Sequence, residues 1–279
     1  MDTGFGYSVD GYELMDSAGR WWVTDTGSAH SPALAKRSVQ LQVPGMNGVL
    51  DSGRETRESA TLPLRVMVKS ADPAVREQYW EAVKSLFTLR DTFTLTRTVG
   101  SVVRSTAAKL KSVSEPDFRP GAGTIVGVIV MTLLDGAFHG PEADVLRAFN
   151  ADFAAVALPA LAGNAAVEDW TIRVTGPATS VTFTDDASAT GVGWGGTLAA
   201  GQYLFLRGVQ ARRSTVPTDW ISGGTDVSGG VTVPPAGLLA LTPRVDVSDV
   251  LVRSVKWSGV RVGSSAATEV TLRGRSAFV

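Results

Sequence analysis

Polar and apolar residues alternate along most of this chain, and one stretch, Arg37 to Phe87, sets out the pattern most fully. In Ser38–Val43 the apolar residues Val39, Leu41 and Val43 fall on one face of a strand, because successive side chains point to opposite sides. Pro44-Gly45 fits the central pair of a type II turn, and Asn47-Gly48 offers a second tight turn two residues on. Such double punctuation predicts a projecting loop around Met46 rather than a minimal hairpin. Asp51 to Ser59 is a connector of mixed charge, and Leu62, Leu64, Val66 and Val68 then alternate along a second strand. Pro63 cannot donate to a ladder, so this strand begins at Leu64 or lies at an edge there. Asp72-Pro73 is a strong helix start, with Asp as N-cap and Pro at the first helical position. Val75, Tyr79, Val83, Leu86 and Phe87 form one stripe at helical spacing, with Trp80 at its margin, and predict a helix over about 72–88. Burying each of those apolar side chains is worth roughly 1.5–3 kcal/mol, enough to dock the helix on a sheet.

Upstream, Tyr12–Met15 and Trp21–Val23 flank a turn at Asp16–Gly19 and read as a hairpin or edge-strand pair. Neighbouring tryptophans on a strand face opposite ways. Either one enters the core while the other meets another domain or chain, or one is buried and the other is shielded by a local loop. Downstream, Thr92–Thr98, Val102–Val113 and Gly123–Leu134 read as strands, the last apolar on both faces. The expected first domain is 1–141. Residues 142–165 are Ala-rich and read as a linker, with Leu146–Ala157 either a short helix or extended chain. From Val167 onward short alternating segments recur between turns, which predicts a β-sandwich of jelly-roll type over 166–279. The fold class is therefore mainly β, with one amphipathic helix in the N-terminal domain.

Composition narrows the function. The chain of 279 residues carries 26 Lys plus Arg against 27 Asp plus Glu, so no global field draws it to nucleic acid or an anionic membrane. Cysteine is absent, which removes disulfides, thiolate metal sites and cysteine nucleophiles together. The opening Met1-Asp2-Thr3-Gly4 lacks the basic and apolar regions of a signal peptide, and no apolar run approaches the roughly 20 residues of a membrane span. A protein made in a cytoplasm is expected.

Candidate chemistry is sparse. His30 and His139 stand on different loops with no ligand spacing around either, so surface or loop positions are expected for both. No nucleophile elbow, P-loop or EF-hand occurs. Gly191-Val192-Gly193-Trp194-Gly195-Gly196 matches Gly-x-Gly-x-x-Gly by letter, but that motif needs a strand leading into a helix, and Thr197-Leu198 with a Gly201 turn follows instead. Asp185-Asp186 and Asp246/Asp249 read as turn caps rather than calcium ligands. Neither a catalytic residue, a metal site nor a cofactor is expected. One binding alternative is a carbohydrate platform on the C-terminal sandwich built from Trp194, Tyr203, Trp220 and Trp257, with Trp194 and Trp220 as the candidate glycan-contacting residues. Its structural counterpart makes Trp257 and Tyr203 core and lets Trp220 pack a long loop.

The order of these elements resembles the distal tail protein (Dit) family of long-tailed siphophages. The resemblance rests on the strand leading into Val43-Pro44-Gly45-Met46-Asn47-Gly48, the arm and strand Arg57–Val68, the helix Asp72–Phe87 and the strand Thr92–Thr98. After Leu133–Phe138 and the linker, Gly163–Pro177 is similar to the family's entry into a galectin-like second domain, and Leu198–Leu204 and Ser258–Arg275 continue the match. It spans nearly the whole chain, except that 142–165 and 214–237 match no part of the pattern.

The resemblance implies a structural virion component of the phage tail tip or baseplate, made in a bacterial cytoplasm and without catalysis. It implies a homohexameric ring of N-terminal domains joining the tail tube protein to the hub or tip protein. Tape measure and receptor-binding proteins are further implied partners, DNA passes only in transit through the lumen, and no membrane is involved. The implied subunit or tube contacts are Pro44, Gly45, Met46, Asn47, Gly48, Asp51, Arg54, Arg57 and Glu58. The galectin-like domains would dock other tip proteins, or, in the alternative, bind carbohydrate for host-surface attachment.

Overall fold

The computed structural model describes residues 5–32, 36–37, 40–41, 50–51, 56–57, 60–149, 151–246, 249, 252–264 and 268–279. Its internal contacts divide the chain into two compact units that meet at Gly140/Pro141, within the strand Phe138–Ala148. The protein is mostly β, with one α-helix among the described residues.

The first unit is built on an antiparallel sheet. Trp21–Val23 pairs with Ala60–Lys69, which runs beside Thr124–Leu133 over its whole length. Thr124–Leu133 continues to Val102–Val113, then Phe93–Val99, Phe5–Val9 and Tyr12–Glu13. The expected pairing of Tyr12–Met15 with Trp21–Val23 is replaced by two separate pairings. Asp10 and Gly11 both take positive φ, which suits a two-residue hairpin turn and folds Tyr12–Glu13 back on Phe5–Val9 instead. Ala60–Lys69 starts earlier than expected, and Pro63 sits inside it. The backbone groups around Pro63 face the loop, not Thr124–Leu133: Ala29 N donates to Pro63 O, and Arg65 N donates to Ser28 Oγ. The missing N–H therefore removes no ladder bond, which is why proline is tolerated at this edge.

The helix Pro73–Thr88 is capped as expected, with Asp72 Oδ1 accepting from Ala74 N at 2.9 Å. Its buried residues are Arg76, Trp80, Val83 and Phe87. Trp80 thus lies at the centre of the stripe, not its margin, while Val75, Tyr79 and Leu86 are half-buried. The reason lies across the interface. A Cβ on Gly127 would stand 2.2 Å from Trp80 Cη2, so the indole fills the gap that glycine leaves between Ile125 and Ile129. Arg76 reaches back to the start of the helix, where its Nη1 donates to Ser70 O at 2.9 Å. Phe87 meets Phe93 edge to face at 5.5 Å.

The second unit is a two-sheet sandwich. One sheet orders Glu269–Phe278, Trp170–Thr175, Tyr203–Arg207, Gln210–Ser214 and Thr225–Asp226. The other orders Phe153–Ala157, Lys256–Val262, Ala178–Asp185, Gly191–Leu198 and Val231–Thr232. Between them Trp257 stacks on Phe183 at 5.3 Å and meets Phe153 at 5.1 Å, and Trp170 Nε1 donates to Leu239 O.

Residues 142–165 are not a linker. Phe138–Ala148 and Phe153–Ala157 are extended strands, so the helix alternative for Leu146–Ala157 is set aside. Phe149, Phe153, Leu158 and Leu161 are buried in the sandwich core. Four large apolar side chains spread through an Ala-rich segment carry no clean period, and only the facing sheet reveals which of them are core.

Candidate functional site

The segment singled out for contact with other chains lies between Pro32 and Ala60. Lys36–Arg37 pairs antiparallel with Thr56–Arg57, and Gln40–Leu41 pairs with Leu50–Asp51. The chain therefore returns along itself, with 42–49 between the paired stretches. Of the candidate contact residues, Asp51 stands opposite Gln40 and Arg57 opposite Lys36. Pro44, Gly45, Met46, Asn47, Gly48, Arg54 and Glu58 lie outside the described residues.

The sheet of the first unit presents an open face. Ala60, Leu62, Leu64, Val66 and Val68 turn toward the helix and are buried. The alternate residues Pro63, Arg65 and Met67, with Val128 and Val130 opposite them, are only half-buried. Trp22 stands opposite Met67 and extends this apolar row. Neither Trp21 nor Trp22 is in the core, contrary to the expectation that at least one would be buried; both are half-exposed. A strand of three residues at the sheet edge has too few neighbours to cover two indoles.

Together they line a groove of about 730 Å³ with Met15, Met67, Arg65 and Arg119. On the other side of Trp21, a hollow of about 330 Å³ is walled by Tyr12, Met15, Val83 and Leu86. Arg20 holds this rim: its guanidinium lies 4.6 Å from the Trp21 ring and grips Asp16 at 2.8 and 2.9 Å. Hydrogen bonds from Arg20 lower the Asp16 carboxyl to about 2, so the pair persists through the ordinary acid range.

His30 lies in a loop as expected, half-buried, whereas His139 departs from the expected surface or loop position. His139 is buried on the strand Phe138–Ala148, with its Nε2 3.6 Å from Asp135. His30 stacks on Phe5 at 4.3 Å, and its Nδ1 lies 2.9 Å from Tyr7 Oη. Among the described residues no group of three or more His, Cys, Asp or Glu is placed to hold a metal ion.

The carbohydrate platform is corrected by the sandwich. Trp194 is 3% exposed, points inward from Gly191–Leu198, and donates from Nε1 to Val227 O at 3.2 Å. Trp257 is fully buried. The glycines of the dinucleotide-like motif alternate with Val192 and Trp194 because the segment is a strand; a Cβ on Gly193 would stand 2.5 Å from Thr232 Oγ1. Trp220 closes a loop over the other sheet. It packs on Phe205 at 5.7 Å, and guanidinium groups of Arg273 and Arg173 lie over its ring at 3.9 and 5.1 Å. Its faces thus meet cations and are not bare for a sugar. Arg273 in turn grips Asp144 at 2.7 and 2.8 Å, which lowers that carboxyl's pKa, while Arg207 and Arg275 share Asp169. Asp185 accepts from Ser188 N, Ser188 Oγ and Thr242 N, which is the work of a turn cap.

No family model and no curated protein matches the sequence. Solved structures do. The Dit protein of phage SPP1, a paradigm of hub adsorption apparatus in phages that infect Gram-positive bacteria, matches with a TM-score of 0.63 at 14% identity, over 99% of each chain. The chain has the Dit fold. Chains of the phage P2 baseplate in its activated conformation, with calcium and with strontium, also align over 99% of each chain at 10% identity. Their TM-scores of 0.42 and 0.43 are too low to support an argument about fold. At 14% identity the SPP1 match establishes architecture, and the Dit fold here is carried by its own packing: the helix over Gly127 and the aromatic centre of the sandwich.

Proposed function

We propose that this chain is a structural adaptor of a phage tail, assembling through its first unit and docking other tip proteins through its second. The observation that carries the proposal is the Dit fold over the whole chain, both units included. In this reading the first units close a homohexameric ring between the tail tube and the tip hub. The arm 36–57 and the open face of Trp22, Met67, Val128 and Val130 supply the contacts. A ring subunit is held on several sides, with obligate interfaces on the order of 2,000–5,000 Å² each, and such interfaces are apolar. An apolar row on a sheet face otherwise backed by a complete core fits that demand.

The near-cancelling charge, 26 basic against 27 acidic residues, suits a lumen through which DNA must pass. Dense lysine or arginine there would bind phosphate and retard passage. The proposed place of the protein is the virion, at the tail tip or baseplate, with tape measure and receptor-binding proteins as further partners and no catalysis required. Negative-stain microscopy and mass photometry of the purified protein and of tails containing it test this: rings are expected. A strictly monomeric species within assembled tails would overturn the reading. No observation favours the carbohydrate alternative, since Trp194 is buried and Trp220 is covered by arginine.

A further inference from the structure

Residues 215–224 lie over the outer face of the sheet that holds Trp170–Thr175, Tyr203–Arg207 and Glu269–Phe278. Leu204 and Leu206 belong to the sandwich core, so Phe205 between them points the other way. Phe205 is nonetheless fully buried, with Trp220 packed on it at 5.7 Å. The Trp220 ring also meets the guanidinium groups of Arg273 at 3.9 Å and Arg173 at 5.1 Å. Arg173 Nη1 donates to Pro217 O at 2.8 Å, and the Ser214 hydroxyl donates to the Asp219 carboxylate and accepts from Val216 N. Among the described residues no backbone-to-backbone hydrogen bond ties 215–223 to the sheet; Ser222 N to Asp219 O, at 2.6 Å, is internal to the loop. Side chains hold this cover down.

The backbone of the cover is strained. Trp220 and Ile221 both take positive φ, 24° and 76°, a region least tolerated by a β-branched residue such as Ile221. Such strain costs free energy and persists only where the surrounding contacts over-determine it. Here those contacts are the stacked indole and the pinned Asp219 carboxylate. Strain therefore weakens the hold of the loop on its own seat, and an unstrained segment of the same chemistry would fill that seat better. Charge adds a preference. Arg273 is shared by Asp144 and Glu142, but Arg173 has no ion pair among the described residues, and its Nε is buried without a hydrogen-bond partner. A half-buried cation without a counter-ion favours an acidic occupant.

We propose that the loop 215–224 is a displaceable lid, in which Asp219-Trp220 stands in for a partner segment that carries an acidic residue followed by an aromatic one. In the occupied seat the partner's ring replaces Trp220 against Phe205 and Arg273. Its carboxylate replaces Asp219 at the Ser214 hydroxyl, and a main-chain carbonyl replaces that of Pro217 at Arg173. The lid gives docking by the second unit a place and a chemistry; that the partner is another tip protein rests on the adaptor reading.

The end-blocked hexapeptide Pro-Thr-Asp-Trp-Ile-Ser, the sequence of residues 217–222, is the probe, titrated calorimetrically into the full chain. A tethered lid competes at an effective concentration on the order of millimolar, so Trp220→Ala, which vacates the seat, should bind the peptide about tenfold tighter than the native protein does. Peptides carrying Asp219→Asn or Trp220→Ala should bind the vacated seat several-fold more weakly. A second readout, in the native protein labelled with 5-fluorotryptophan, serves even if Trp220→Ala folds poorly. The peptide should move the Trp220 fluorine resonance, assigned by its absence in Trp220→Phe, toward the solvent-exposed position and leave the other tryptophan signals in place. Equal affinity of native and Trp220→Ala protein, binding indifferent to Asp219→Asn in the peptide, or a Trp220 resonance that the peptide never moves would overturn the proposal. Mass photometry keeps the two readings apart: rings without peptide binding would remove the lid alone, and peptide binding without rings would remove the ring and leave the lid.

Discussion

Single residues in this protein act through what they leave empty or keep apart from water. Gly127 is the clearest case, since the Trp80 indole occupies the space its missing side chain vacates. Gly127→Ala should cost about 1–3 kcal/mol, the usual penalty of overpacking, read as a lowered urea midpoint with an unchanged slope. The sequence placed Gly127 on a strand but carried no sign that an indole sat over it. Tyr7 offers a second residue-scale prediction. Its folded-state pKa, raised to about 12 by burial, exceeds the ordinary value of 10.0, so the folded state resists losing that proton. Stability from this group is complete below pH 10 and should be lost as pH rises from 10 toward 12. Absorbance at 295 nm in an alkaline titration should show one tyrosine ionising with unfolding, and Tyr7→Phe should abolish that step. Sequence leaves Trp194 open between platform and core because indole chemistry suits both; its inward register decides for the core.

Among elements, the helix was the most legible and the segment 142–165 the least. Asp72-Pro73 and a long apolar stripe are local signals, and both cap and helix form where they predict. The rotation of the helix about its axis was legible only to within one position, since Trp80 rather than Tyr79 faces the sheet. Phe87 is fully buried against Phe93. Phe87→Ala should lower folding stability by about 3–5 kcal/mol, measured by chemical denaturation; a near-zero loss would mean the stripe is wrongly assigned. The segment 142–165 tells the opposite story, because its strands pair with partners more than a hundred residues away, as in Phe153 opposite Gly259. A fragment beginning at Pro141 should fold with native near-ultraviolet dichroism. One beginning at Ala166 should not, because it lacks Phe149, Phe153, Leu158 and Leu161 from the core.

At the scale of the whole molecule, two units with separate cores are joined in one chain, and assembly is proposed to run through the first. Arg57 pairs opposite Lys36 in the arm. Arg57→Glu should leave the unfolding midpoint within about 0.5 kcal/mol of the native protein, as surface changes usually do, while weakening ring formation. Mass photometry across a concentration series checks this, and unchanged oligomerisation would remove the arm from the interface. The open apolar face gives the same assembly a second surface, so the effect of Arg57→Glu is expected to be a shift to higher assembly concentration rather than complete loss.

By itself the sequence determined the class of the protein: mainly β, with a capped helix, near-neutral and without cysteine. These are properties of local pattern and composition, which need no knowledge of distant partners. Order of elements also carried the resemblance to the Dit family, and the architecture agrees with it. Tertiary structure decided everything that depends on which face meets which. It moved Trp80 to the centre of the stripe, put 142–165 into the sandwich, buried Trp194, left Trp21 and Trp22 on an open groove, and packed His30 against Phe5 and Tyr7. Each of those outcomes is set by pairing between residues far apart in sequence, and alternation along a strand cannot say which of its two faces the rest of the molecule will cover.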